Sequence, residues 1–168
     1  MKVLVAYATK YGSTQGVAER IAATLTADGQ DVDIAMIGAP GDLAPYDAFV
    51  IGSGIFGFHW MKPAARFLRE RREILTRRPV WLFSVGPLGP KQAHPLKPRD
   101  YNENSEAVDA RGHAIFYGAM NVLRLKGADR LMGAMFKSMQ GDFRDWEAIE
   151  SWAHSIAREL APRPVPAG

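Results

Sequence analysis

The strongest constraint in this chain is a change of period within residues 3–21, V-L-V-A-Y-A-T-K-Y-G-S-T-Q-G-V-A-E-R-I. Residues 3–7 are a continuous apolar run, which fits a strand buried on both faces rather than one alternating towards solvent. From about Ser13 the apolar positions are Val17, Ala18, Ile21, Ala22 and Leu25, the spacing of a helix. Between the two lie Thr9, Lys10, Tyr11, Gly12, Ser13 and Thr14. Free N–H groups and the positive end of a helix dipole converge at such a junction, and Thr9, Ser13 and Thr14 add O–H donors. The expectation is an anion site, with a phosphate as the preferred ligand. A plainer alternative, a Ser or Thr capping the helix, needs only one of these hydroxyls.

The rest of the chain alternates strand and helix signals. Val32, Ile34 and Met36 alternate with polar or small residues, as in a half-covered edge strand, and residues 37–46 read as a loop. Residues 48–51 and 80–83 are continuous apolar runs and predict central strands. Residues 63–75 read as a helix with Pro63 in its first turn and Ala64, Phe67 and Leu68 inward. Residues 86–110 contain four prolines and no convincing period, which predicts a long loop insertion acting as a lid or lacking order, with room for a short helix near Glu106. A fifth strand is expected at 114–119, a Met-containing helix at 128–139 and an amphipathic helix at 142–160. The proline-rich residues 161–168 read as a flexible tail. The pattern predicts one domain over residues 1–160, a parallel sheet in the order 2-1-3-4-5 with helices on both faces.

Composition removes several functions. With no cysteine, thiol catalysis, disulfides and cysteine-bound metals are excluded, and no other metal-ligand, Ser-His-Asp or paired-carboxylate pattern stands out. The strand signal begins at Val3 and no long apolar run follows, so the cytoplasm is the expected location. The net charge is +3, and residues 62–78 hold seven basic residues against Glu70 and Glu73. This is either a solvated helix face or an attraction for acidic partners: a carboxylate-bearing substrate, or an anionic membrane surface at its inner face. Nucleic acid is not expected, because the basic run lacks interleaved aromatics and no base-reading motif is present.

In the predicted sheet, the turn after strand one meets two further loops in one crevice. The second loop brings Ser53, Gly54, Ile55, Phe56, Phe58 and Trp60, and the third brings Ser84, Val85, Gly86, Pro87, Leu88 and Gly89. Glycines there allow close backbone approach to a flat ring, and Phe56, Phe58 and Trp60 offer faces for stacking. Gly52 to Gly57 also spell G-x-G-x-x-G, a dinucleotide fingerprint, but after the third strand and without a helix opening at once.

The set Tyr7, Thr9, Gly12, Thr14, Ala18 and Ile21 resembles the signature of the flavodoxins, in which hydroxyls at fixed offsets surround the phosphate of FMN. The resemblance implies a flavodoxin-like three-layer α/β/α sandwich and FMN as cofactor. A narrower likeness is to the quinone-dependent protoporphyrinogen IX dehydrogenase branch of flavodoxin-like proteins. It rests on Gly52, Ile55, His59 and Trp60, on Phe83-Ser84-Val85, and on Asp145-Trp146. It implies an FMN enzyme that oxidises a porphyrinogen and passes electrons to a quinone. A flavodoxin-type electron carrier, a nicotinamide-fed quinone reductase and a flavin-free module are the alternatives.

Charge favours the enzyme over the carrier. Lys10, His59, Lys62 and Arg66 near the crevice would stabilise an anionic reduced flavin, each by about 1 kcal/mol at partly exposed sites. His59 is the candidate catalytic residue, moving protons or bonding the ring. His94 and His113 are assigned no role.

Overall fold

A computed structural model describes residues 1–39, 41–86, 95–121, 126–127 and 140–161. The predicted helix at 128–139, the turn residues Pro87, Leu88 and Gly89, and nearly all of the tail lie outside the described residues. Strand β1 (Lys2–Ala8) leads into α1 (Ser13–Ala27), then β2 (Asp31–Met36) and β3 (Ala48–Phe56). A short β4 (His59–Trp60) follows, then α2 (Lys62–Glu70), α3 (Arg72–Leu75) and β5 (Val80–Gly86). The remainder is α4 (Tyr101–Ala107), β6 (Gly112–Tyr117), β7 (Ala119–Met120), β8 (Gly141–Asp142) and α5 (Trp146–Leu160).

Five parallel strands run in the order β2-β1-β3-β5-β6, with β4 antiparallel on the end of β3. This is the expected 2-1-3-4-5 order, with β5 and β6 as its fourth and fifth parallel strands. Period-two geometry makes β1 the divider of the core. Val3, Val5 and Tyr7 pack with Val17, Ile21, Ile149 and Ile156 of α1 and α5. Leu4, Ala6 and Ala8 pack on the other face with Trp60, Phe67, Leu68 and Leu75. Helices cover both sides, giving the three-layer α/β/α sandwich of the flavodoxin-like class. Strand β2 lies at the sheet edge as expected, but Ile34 and Met36, which alternation would place on its covered face, are exposed. No helix among the described residues is long and apolar enough to cross a membrane.

Three elements differ from the sequence expectation. The helix predicted over 63–75 is broken at Arg71 (φ −104°, ψ 10°), and Arg72 Nε then donates to Ala107 C=O of α4 at 3.1 Å. The segment 86–110 is not a structureless insertion throughout. Gly86 ends β5, and α4 supplies part of the crossover that parallel β5 and β6 require. The final helix starts four residues later than its pattern suggested. Asp145 accepts a hydrogen bond from Ala148 N at 3.0 Å and caps it, while Gly141–Asp142 pairs with β7.

The G-x-G-x-x-G run is also settled by geometry. Gly52 and Gly54 lie inside β3, not in a turn before a helix. A Cβ on Gly52 would lie 2.0 Å from Cζ of Phe83 on the neighbouring strand, and one on Gly54 would lie 3.1 Å from Thr14 Oγ1. The first glycine admits a ring and the second admits a hydroxyl; neither serves a dinucleotide. Gly52→Ala is therefore expected to destabilise the protein by about 2 kcal/mol, because buried Phe83 has nowhere to move. Urea denaturation of the variant checks this, and a smaller side chain at Phe83 should recover part of the loss.

Candidate functional site

The site begins where β1 ends, at Ala8 opposite Ser53 of β3. Thr9 Oγ1 accepts a hydrogen bond from Gly12 N at 3.0 Å, which closes the turn. Gly12 then adopts φ 90°, a left-handed conformation that glycine takes at no steric cost, at the N-cap of α1. Ser13 Oγ accepts from Ala119 N at 2.7 Å and ties the turn to β7. Thr14 is 2% exposed, with Oγ1 beside Gly54.

Among the described residues no side chain caps α1, and its first turn holds no acidic residue. The leading N–H groups are thus left open at the positive end of the helix. The plain capping role for these hydroxyls is not what the structure contains. Thr9 and Ser13 use their oxygens as acceptors within the protein, and among the described residues neither donates its O–H. Thr14 Oγ1 has no hydrogen bond among them. Three hydroxyl hydrogens and the open amides are what a phosphomonoester needs, so the junction fits the phosphate of FMN.

The neighbouring strand ends build a floor. Ser53 Oγ donates to Gly54 C=O at 2.9 Å and accepts from Met61 N at 3.0 Å, so its side chain is committed to the β3–β4 hairpin. Ile55 and Val85 are buried. Gly118, which the sequence reading passed over, lets the end of β6 close on both neighbours: a Cβ there would lie 2.4 Å from Gly86 C=O and 3.0 Å from Ser13 Oγ. Its sequence signal is a lone glycine after an apolar run, which does not reveal what approaches it.

The hairpin turn is Gly57 (φ 55°) and Phe58 (φ 67°), the two-residue geometry whose twist matches its strands. It places Phe56 and Phe58 outside, 46% and 54% exposed. The Phe56 and Tyr11 rings are 6.5 Å apart, and Lys10 Nζ lies 4.1 Å above the Phe56 centroid. Among the described residues, Phe56, Phe58 and Tyr11 are thus rings available near this strand end. Trp60 is not among them. Expected to offer a stacking face, it is 3% exposed and packed into the core beneath.

Trp60 instead starts a polar chain centred on His113, a residue to which the sequence reading gave no role. Trp60 Nε1 donates to Ser84 Oγ at 2.7 Å, and Ser84 Oγ meets His113 Nε2 at 2.8 Å. His113 Nδ1 meets Ser105 Oγ at 2.9 Å, and Ser105 donates to Tyr101 C=O at 2.8 Å. Donor order follows: with Ser105's hydrogen already used, Nδ1 must donate to it, and Nε2 accepts from Ser84. The imidazole stacks on Tyr101 at 3.9 Å and meets Trp60 edge-on. Asp100 adds a second tie, its carboxylate accepting from Trp60 N at 3.1 and 3.3 Å. Ser84, fully buried and paired in the sheet on both sides, therefore contributes support rather than a ligand contact.

His59 stands outside on β4. Its Nδ1 lies 2.9 Å from Gly57 C=O, so Nδ1 carries the hydrogen and Nε2 is the basic nitrogen. Lys10, His59, Lys62 and Arg66, dispersed in sequence, line one cavity.

A doubly wound sheet whose first β–α junction presents open amides and hydroxyls to an anion defines a phosphate-anchored, flavodoxin-type architecture. The chain belongs to the flavodoxin domain family, which it matches over residues 4–147. Across 98% of this chain and 99% of its counterpart, it is 26% identical to protoporphyrinogen IX dehydrogenase [quinone] of Escherichia coli K12. Its fold resembles oxidised flavodoxin 2 of Bacillus cereus (TM-score 0.63, 21% identity, 95% and 100% of the two chains). A flavodoxin from the Archaea is comparable (TM-score 0.61, 18% identity, 95% and 98%).

Burial pushes the His113 pKa down from 6.5 to about 4. Between those values the unfolded chain binds more protons than the folded one, so stability falls as pH drops from about 6.5 towards 4. At pH 5 the loss relative to pH 7 should be about 2 kcal/mol. Denaturant titrations at both pH values should show this component in the native protein and not in His113→Gln.

Proposed function

We propose that this chain is an FMN-dependent oxidoreductase that takes hydrogen from a porphyrinogen and passes the electrons to a quinone. The observation that carries the cofactor assignment is the junction after β1, where among the described residues three hydroxyls keep their hydrogens and no side chain caps α1. The full-length likeness to the Escherichia coli dehydrogenase supports the reaction class. The positive surroundings support it further, since they suit a two-electron acceptor better than a low-potential carrier.

FMN, when bound, supplies a ring that accepts hydride and gives up electrons singly or in pairs. The protein's part is to hold and tune it. Thr9, Ser13, Thr14 and the α1 amides grip the phosphate without a salt bridge. Backbone groups of Gly54 and Gly86 lie at the ring-side strand ends, and Phe56 with Tyr11 shields one flank. Lys10, His59, Lys62 and Arg66 place positive charge where reduction creates negative charge, each contributing about 1 kcal/mol or less in this partly exposed setting. His59 Nε2 is the group placed to take or return a proton at the open side. The same basic surface, beside exposed Phe56 and Phe58, suits peripheral contact with an anionic membrane from which a quinone is drawn.

The anchor is tested by comparing FMN with riboflavin, which lacks the phosphate. Thr14→Val should weaken FMN binding by about tenfold or more while leaving riboflavin affinity unchanged, because only one charge-assisted hydrogen bond is removed. Flavin fluorescence quenching reads both. The reaction is tested by anaerobic reduction of the bound flavin with protoporphyrinogen and reoxidation with a menaquinone analogue. Bleaching and recovery are expected; a flavin that never bleaches would leave an electron carrier as the better reading.

A further inference from the structure

The strand end at Phe56 has a second side. A cavity of about 930 Å³ lies between β4 and α2, bordered by Lys10 and Phe56 on the flank of the phosphate junction. Its walls are apolar: Phe56, Trp60, Met61, Pro63 and Ala65. Its other border is three exposed cations, Lys62, Arg66 and Arg69. At 100° per residue these three fall within about 60° of arc on α2. Ala64, Phe67 and Leu68 occupy the buried face of the same helix.

A helix face that is merely solvated gains nothing from this arrangement. Like charges at i,i+3 and i,i+4 destabilise a helix, and here they repeat along one stripe. The single acidic neighbour on the helix, Glu70, pairs with Arg66 Nε at 2.6 Å, and among the described residues no acidic one lines the cavity. The pair is exposed on both sides, so it is readily exchanged for a ligand carboxylate. Arginine matters in this position, because its planar fork takes a carboxylate through two parallel hydrogen bonds.

Resting on the function proposed above, we infer that this cavity is the carboxylate subsite for the substrate: apolar walls take one edge of a flat macrocycle, and Arg66 and Arg69 hold its acidic arms. A substrate anchored there borders Phe56, which also borders the phosphate junction, so ring and substrate share one wall. The subsite accepts a flat apolar ring bearing two carboxylates and rejects the same ring with those charges masked.

The test uses the purified FMN-loaded protein and two probes in the same dilute nonionic detergent: protoporphyrin IX and its dimethyl ester. Binding is read by quenching of porphyrin fluorescence. The acid should bind the native protein about tenfold more tightly than the ester, and Arg66→Gln/Arg69→Gln should abolish that preference. Arg66→Lys/Arg69→Lys should restore it in part. FMN should stay bound throughout, since Thr9, Ser13, Thr14 and the α1 amides, which are proposed to hold its phosphate, are untouched. Equal affinity for acid and ester, or a double glutamine variant that binds like the native protein, overturns the inference. A protein that prefers the acid through these arginines but does not oxidise protoporphyrinogen upholds the subsite and refutes the proposed reaction, so the two failures are told apart.

Discussion

Placing β1 between β2 and β3, with every side chain of residues 3–8 buried against one helical layer or the other, is the constraint on which this molecule depends. Because β1 pairs on both edges and packs on both faces, its C-terminal end cannot drift. The turn that follows inherits that precision. Successive crossovers also leave β1 in opposite directions, so the chain parts above β1 and β3 and leaves a crevice at their C-terminal ends. The proposed grip on an anion would therefore be a property of the sheet's winding as much as of Thr9, Ser13 and Thr14. Thr9 and Ser13 each already accept one hydrogen bond from the protein, and among the described residues their O–H groups are left to donate, as the proposed anchor requires.

Much of this was legible in the sequence wherever periodicity and burial coincide. The run at residues 3–7, the helical spacing from Val17 to Leu25 and the alternation of Val32, Ile34 and Met36 each announced an element and its place in the sheet. The hydroxyl cluster at the turn after β1 was legible because its members are close together in the chain. What escaped was long-range. Nothing local to Gly52 says that Phe83 will lie on it, and nothing near His113 says that Trp60, Ser84 and Ser105 will converge there. Trp60 was misjudged for the same reason: an aromatic in a glycine-rich loop reads as a surface for stacking, until its indole N–H is found to have a buried serine as partner. The break at Arg71 is a further case, since α2 and α3 keep helical spacing across it.

The two sides of Phe56 divide the chemistry of the molecule. On one side the protein offers neutral donors and a helix end, a setting that holds a phosphate without depending on a particular cation. On the other it offers guanidinium groups over an apolar wall. Neutral donors bind with little sensitivity to salt, whereas exposed guanidinium groups are screened over roughly 10 Å at 0.1 M ionic strength. The phosphate and the carboxylates proposed for the two sides would thus sit in environments of different ionic character, separated by one phenyl ring.

The hairpin that carries that ring is tethered from an unexpected quarter. Arg99 N donates to Phe58 C=O at 2.8 Å, and the Asp100 carboxylate takes the N–H of Trp60, so the stretch entering α4 covers the outer edge of β4. The two segments are some forty positions apart in the chain yet form one mechanical unit. Any force on residues 95–100 is transmitted to Phe56 and His59, and a partner that seized the approach to α4 would adjust the mouth of the crevice from a distance.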